Sequence, residues 1–321
     1  MKEEYQALIL EACSAQSLKI GEKVQTLWSG YGQIVRVYLE TCDRPSVIVK
    51  HVVFPKTSKQ VSEISHMRKV TSYQVEISFY QNYRTDERCR IPECLAARSF
   101  GEEMLLVLED LDAAGFPERR TAFREADVKA CLQWLAQFHA RFLGVPPKGL
   151  WPVGTYWHLD TRPEELQALR DEQLKSSAAE IDSALNSCRF KTILHGDAKL
   201  ENFCFSADGR VAAVDFQYCG AGCGIKDVVY FLTSVLDERQ CERKVPGFLD
   251  FYFSELKGAV NPELSFSELE DEWRSLFSFA WTDFYRFLLG WSPGHYKINR
   301  YGRRLIQEVL RKLKQDSERV K

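Results

Sequence analysis

Three oxygen-bearing side chains fall close together in one stretch of this 321-residue chain: Asp197, Asn202 and Asp215. They sit in His195-Gly196-Asp197-Ala198-Lys199-Leu200-Glu201-Asn202, then Phe203-Cys204-Phe205, then Val211 to Val214, then Asp215-Phe216-Gln217. Short apolar runs flank Ser206-Ala207-Asp208-Gly209-Arg210, and Asp-Gly is a strong two-residue hairpin signal. With Asp208 and Gly209 as the turn, Ala207 faces Arg210, Phe205 faces Ala212 and Phe203 faces Val214. Asn202 then stands opposite Asp215, and cross-strand neighbours have Cβ atoms about 5 Å apart. An amide oxygen beside a carboxylate suits Mg²⁺, which takes oxygen ligands and is held by few protein groups plus phosphate oxygens. Asp197, just before the hairpin, is placed to act on whatever approaches a metal-bound phosphate. The bland alternative is three unrelated polar loop residues, whereas one local geometry accounts for all three.

His-Gly-Asp-x-x-x-x-Asn followed by a strand and Asp-Phe resembles the catalytic loop and metal motif of the protein-kinase-like superfamily. The His-Gly-Asp form is similar to its small-molecule branch: aminoglycoside phosphotransferases, choline kinases and ecdysteroid-kinase-like proteins. Asp215-Phe216-Gln217, with Gly222 to Asp227 and Val229-Tyr230-Phe231-Leu232 after it, looks most like the last group. The resemblance runs from about Trp28 to Tyr301. It implies an α+β, two-lobed protein-kinase-like fold: a small N-terminal antiparallel-sheet lobe over residues 1–108 and a larger, mainly helical C-terminal lobe over 109–321. ATP and Mg²⁺ are the implied cofactors. A small-molecule alcohol, choline-, aminoglycoside- or sterol-like, is the implied phosphoryl acceptor. On this resemblance Asp197 takes or orients the acceptor's proton, and Asn202 and Asp215 hold Mg²⁺. Lys199, at Asp-x-Lys spacing, neutralises the transferring phosphoryl group.

Other elements must position these residues. Leu27 to Tyr38 reads as strand, turn, strand, with Gly30 and Gly32 able to bring backbone N–H groups near phosphates. Such glycine turns are also common plain connections. Ser46 to Val52 is a strand carrying Lys50, and it resembles the kinase strand whose lysine holds nucleotide phosphates. A strand lysine is ordinarily a solvated edge residue, so it needs a carboxylate partner. The helical pattern from Ser62 to Tyr83 supplies Glu76, with Glu63 as competitor. The apolar run Met104 to Leu108 reads as a buried strand ending in Glu109-Asp110-Leu111. By resemblance this is the hinge, where backbone at Glu109 and Leu111 meets adenine.

Downstream, Ala126 to Phe142 is an amphipathic helix, with His139 read as a core or capping residue. Helices are expected over Pro163 to Leu185, Val228 to Leu236 and Leu269 to Leu289, with Pro246, Pro262 and Pro293 as punctuation. Tyr218 to Gly224 reads as too glycine-rich for regular structure. Asp227 opens a helix, as a cap or, by resemblance, as the brace of the His195-Gly196-Asp197 backbone. Trp281, Asp283, Tyr285, Trp291, His295 and Tyr296 are candidates for an acceptor pocket or for plain core. The basic helix from Asn299 to Lys321 reads as a solvated face.

Net charge of −2 argues against bulk electrostatic binding of nucleic acid. The opening Met1-Lys2-Glu3-Glu4-Tyr5 has acid where a signal peptide needs base. No apolar run approaches the roughly 20 residues that span a bilayer. A cytoplasmic protein with no membrane or nucleic-acid partner is expected. The ten cysteines show no zinc-site spacing and read as reduced thiols; a redox or metal role for Cys219 and Cys223 is a minority reading. Two rival functions stay in view. A protein kinase is disfavoured because Asp215 to Asp227 is too short for a peptide-docking activation segment and no Ala-Pro-Glu follows. A non-catalytic nucleotide-binding scaffold is disfavoured because Asp197, Asn202 and Asp215 are all present.

Overall fold

The structure, a computed structural model, describes residues 1–27, 30–54 and 62–319. Trp28, near which the resemblance begins, lies outside the described residues. Two compact units divide the chain: Met1–Arg119 with Cys204–Val214, and Arg120–Phe203 with Asp215–Lys321. The chain returns to the first unit with the hairpin. Backbone pairing explains the return. Glu118 and Phe205 exchange N–H···O bonds of 3.0 and 2.9 Å, and the Ala213 N–H donates to the Arg90 carbonyl at 3.0 Å.

The first unit holds α1 (Glu3–Cys13), β1 (Ser17–Thr26), β2 (Gly32–Glu40), β3 (Ser46–Val53), α2 (Glu63–Asn82), β4 (Cys94–Phe100) and β5 (Glu103–Glu109). Its five strands form one antiparallel sheet in the order β1-β2-β3-β5-β4. Side chains alternate between faces along a strand. Val47 and Val49 of β3, with Leu105 and Val107 of β5, pack on Tyr5, Leu8 and Ile9 of α1. The alternate residues, among them Lys50 and Val52, fall on the other face, where Val52 and Met104 cluster with Tyr73 of α2. The register places Lys50 between Ile34 and Leu106. The strand lysine is therefore central in the sheet, not at an edge.

The second unit is mainly helical: α3 (Glu125–Arg141), α4 (Pro163–Ala168), α5 (Glu172–Ser176) and α6 (Ala178–Asn186), then β6 (Thr192–Leu194). The hairpin strands β7 (Phe203–Phe205) and β8 (Val211–Ala213) follow, then β9 (Gly220–Gly222) and α7 (Ile225–Val235). The chain closes with α8 (Glu238–Ala259), α9 (Phe266–Ser275), α10 (Phe277–Trp291) and α11 (Arg300–Arg319). Among the described residues, no helix is long and apolar enough to cross a membrane.

Several sequence expectations change here. Pro163 to Leu185 is three helices, because Leu169 turns extended and Asp171 caps a new start by accepting from the Leu174 N–H. Leu269 to Leu289 divides at Leu276, between α9 and α10. Pro246 lies inside α8. The glycine-rich segment does form a strand: β9 pairs with β6 through Ile193 and Ala221. Its glycines serve close approach, since a Cβ on Gly220 would stand 2.4 Å from the Trp151 carbonyl oxygen. The last helix buries Tyr301, Leu305, Ile306, Val309 and Leu310, so only its other face is solvated. Among the described residues no cysteine forms a disulfide, and Cys219 and Cys223 are buried. Among the described residues, no group of three or more His, Cys, Asp or Glu side chains could hold a metal ion.

Gly32 begins β2 at φ 126°, and a Cβ there would lie 2.0 Å from the His51 carbonyl oxygen. Neither the backbone nor the space admits a side chain. Gly32→Ala is expected to lower unfolding free energy by about 1–3 kcal/mol, the usual range for overpacking, read from the midpoint of urea denaturation. Gly30→Ala, with open space around its Cβ position, should cost less in the same assay.

Candidate active site

In the first unit, Lys50 Nζ donates to Glu76 Oε2 at 2.7 Å, with both side chains buried. The Tyr73 ring lies alongside, its centroid 5.5 Å from Nζ. Glu63, the competing partner, is exposed at the start of α2. A buried ion pair at the centre of a sheet carries a large desolvation cost, and apolar packing would stabilise the core at least as well. Its value is a lysine held in one place. Beside it, Gly30-Tyr31-Gly32 opens β2, and Tyr31 is buried with its hydroxyl 2.7 Å from His66 Nδ1 of α2. At the end of β5 the Glu109 carboxylate binds Arg90 at 2.6 Å, and the Leu111 carbonyl accepts the Phe116 N–H at 2.8 Å.

In the second unit, β6 delivers His195-Gly196-Asp197. Asp227, in the first turn of α7, is wholly buried. Its carboxylate accepts the His195 N–H at 2.7 Å, the Gly196 N–H at 3.0 Å and His139 Nε2 at 3.1 Å. The N-cap of α7 is Gly224, so Asp227 braces the loop and does not cap the helix. His139 is a core histidine that links two elements. With its proton on Nε2, Nδ1 accepts the Tyr252 hydroxyl at 2.7 Å. Gly196 takes φ 79°, and a Cβ there would lie 2.0 Å from the Tyr218 carbonyl oxygen.

Asp197 is the buried centre of this loop. Asn202 Nδ2 donates to its carbonyl at 2.8 Å and to its Oδ2 at 3.1 Å, and Lys199 Nζ lies 3.2 Å from the same Oδ2. Burial pushes the Asp197 carboxyl above its ordinary value; Lys199 opposes that shift and Asp215 adds to it. Burial works against the Lys199 ammonium, but Asp197 and Asp215 outweigh it and raise its pKa. Burial raises the pKa of the Tyr156 and Tyr230 hydroxyls, and the Asp197 charge adds to both; their ring centroids lie 5.3 Å apart.

The hairpin does not have the register that two turn residues would give. Ser206 N–H donates to the Arg210 carbonyl and Gly209 N–H to the Ser206 carbonyl, both at 3.0 Å. The loop is therefore Ala207-Asp208-Gly209, with Gly209 left-handed at φ 85°, a three-residue turn with a bulge. The pairing shifts by one, so Asn202 is not opposite Asp215 on the ladder. Asp215 instead reaches its position by leaving the strand at φ 71°. Gln217 Nε2 steadies it, donating to Oδ1 at 2.6 Å. Asn202 commits its Nδ2 to Asp197, so its amide oxygen is the atom that could serve a metal. An amide oxygen and one carboxylate fit Mg²⁺, which is held by few protein oxygens plus phosphate.

The suggested acceptor residues separate. Trp281, Asp283 and Tyr285 are buried, while Trp291 and Tyr296 are exposed. Asp283 is committed to Arg286 at 2.8 Å, Lys226 at 3.5 Å and Trp157 Nε1 at 3.0 Å. It is not available to a cationic acceptor. The residues that sequence reasoning did not single out are Tyr156, Tyr230 and Lys297. Their only sequence signal is distributed, one aromatic or basic residue on each of three separate segments.

Residues 31–143 and 153–262 match the model of the ecdysteroid kinase-like family, more than half of the chain. The chain matches no curated protein. Among solved structures it is similar to the amicoumacin kinase hAmiN, in complex with AMP-PNP, Ca²⁺ and Ami. The TM-score is 0.54 and the identity 12%, over 98% of this chain and 96% of that one. A microcompartment-associated aminopropanol kinase aligns at TM-score 0.50 and 12% identity, over 95% and 94% of the two chains. The choline kinase LicA from Streptococcus pneumoniae aligns at TM-score 0.44 and 14% identity, over 98% and 100%. At these identities the first two likenesses show the fold.

Removing Asp227 orphans two buried N–H groups and His139. Asp227→Ala is expected to cost about 3–5 kcal/mol of stability, the range for breaking a buried charged network, measured by chemical denaturation. Asp227→Asn, which keeps an accepting oxygen, should cost less.

Proposed function

The chain belongs to the ecdysteroid kinase-like family, and on that premise we propose that it transfers the γ-phosphoryl group of ATP to a hydroxyl of a small molecule. The observation that carries this reading is Asp197: a buried carboxylate with its pKa raised by burial, held by Asn202 and Lys199, on a backbone braced by Asp227. A base with a raised pKa takes a proton more readily near neutral pH. Asp197 orients the acceptor hydroxyl and receives its proton as that oxygen bonds to phosphorus and the bond to the ADP leaving oxygen breaks. Lys199 places a positive charge where the transferring group gathers negative charge. Lys50, fixed by Glu76, contacts the nucleotide phosphates, and the Gly30-Tyr31-Gly32 turn offers them backbone N–H groups. The backbone of Glu109 and Leu111 meets the adenine. Asn202 and Asp215 hold Mg²⁺, which neutralises phosphate charge when bound.

The amicoumacin kinase to which the fold is similar was solved with AMP-PNP, which supports a nucleotide cofactor here. The acceptor is an alcohol of the kind small-molecule kinases use, and the protein acts in the cytoplasm. The direct test is an ATP-consumption screen over a panel of small alcohols with mass detection of product. ATP hydrolysis without any phosphorylated alcohol would reject the transfer.

Two variants assign the roles. Asp197→Asn should leave Mg–ATP affinity nearly unchanged in calorimetry and lower turnover by about 10²–10⁴, the contribution of a general base. Loss of ATP binding in a folded variant would make Asp197 a metal ligand instead. Asp215→Ala should abolish the Mg²⁺-dependent part of the rise in melting temperature that ATP produces, because a ligand of the folded state stabilises it. An unchanged shift would remove Asp215 from the metal site.

A further inference from the structure

The loop between α10 and α11 carries a lysine that neither the core nor the reaction above uses. Lys297 is clamped through its backbone: its N–H donates to His295 Nδ1 at 3.2 Å, and its carbonyl accepts the Tyr285 hydroxyl. Its ammonium lies over aromatic rings, 5.1 Å from the Tyr230 centroid and 5.9 Å from that of Phe284. Among the described residues it has no ion-pair partner. The neighbouring cation Lys199, by contrast, is paired with Asp197 at 3.2 Å.

Tyr230 ties this lysine to the reacting groups. Its ring lies under the ammonium, and its hydroxyl stands beside Asp197. The charged groups that face Lys297 are Glu201 and Asp197, which favour its protonated form, and Lys199, which opposes it. Burial prevails and lowers the lysine to about 8. A cation drawn out of water without a partner carries a desolvation cost that a bound anion offsets. Tyr230 is thus the link between the proposed base and this ammonium.

We propose that Lys297 binds an anionic oxygen group of the acceptor, so that the preferred acceptor is an alcohol bearing a carboxylate, sulfate or phosphate. This rests on the phosphotransferase reading and narrows it. Choline- and aminoglycoside-like cations are disfavoured, since the carboxylate suited to receive them, Asp283, is already paired.

The test uses the full chain and three matched probes: para-(hydroxymethyl)benzoate, benzyl alcohol and para-(hydroxymethyl)benzylamine. Binding is titrated by calorimetry with and without Mg–ATP, and turnover is read by product mass. The benzoate should bind best. Lys297→Gln should weaken it about tenfold, the value of a charge-assisted hydrogen bond, and leave benzyl alcohol within about twofold. Lys297→Arg should retain the preference, and guards against a fold defect in the glutamine variant. In the wild type the preference should fade as pH rises through about 8, because the deprotonated amine no longer favours an anion. Equal binding of the three probes, or benzoate binding indifferent to Lys297→Gln, overturns the proposal. Weakened Mg–ATP with unchanged benzoate also overturns it, by making Lys297 a nucleotide contact. Failure of the underlying reading looks different: benzoate binding depends on Lys297, but no alcohol is phosphorylated. That result removes the acceptor role.

Discussion

One buried carboxylate organises the second unit. Asp227 gathers the N–H groups of two consecutive residues, His195 and Gly196, and the Nε2 of His139. A carboxylate accepting several hydrogen bonds away from water is strongly directional, because every lone pair left unfilled costs free energy. The backbone entering Asp197 therefore has little freedom. His195 continues the constraint inward: its Nδ1 accepts the Asp197 N–H at 3.3 Å, and its ring lies 4.8 Å from that of Phe216. The aspartate before Phe216 is Asp215, so the loop carrying the proposed base and the residue proposed for the metal are fixed by one packed group.

The surroundings of Asp227 explain why it can be so deeply buried. Its neighbour on α7, Lys226, is buried as well and faces Asp283 of α10, which also binds Arg286. Two adjacent residues thus fix the roll of α7 against two neighbours, Asp227 towards the loop after β6 and Lys226 towards α10. A helix held by charges on both sides cannot rotate without leaving one uncompensated. This polar arrangement accompanies dense aromatic packing, Trp157 against Tyr230 and Phe284 among it.

Much of the fold is legible in the sequence because its signals are local. The strand with Lys50, the helix with Glu76 and the His195 to Asp215 motif each lie within a short window, and family resemblance supplies the α+β architecture. The Lys50–Glu76 contact is legible because each partner sits on a well-marked element. The hairpin register is not. Asp-Gly supports a two-residue turn or a three-residue loop with Gly209 left-handed, and the choice depends on hydrogen bonds across Ser206 and Arg210. Helix breaks at Leu169 and Leu276 are invisible because neither is a glycine or proline; tertiary packing decides them. Lys297 carries no mark of its own along the chain, since its meaning depends on Tyr230 and Asp197, both far away in sequence.

Asp215 has a backbone that most side chains avoid, at φ 71°. Aspartate and asparagine tolerate that geometry at modest cost, and glycine at none. Shape and charge together admit aspartate almost alone, whereas shape by itself admits its two least strained replacements. Drift at this position is therefore asymmetric. A descendant that exchanges Asp215 for asparagine or glycine sheds the charge and keeps the conformation, so loss of the proposed metal ligand leaves a well-folded chain.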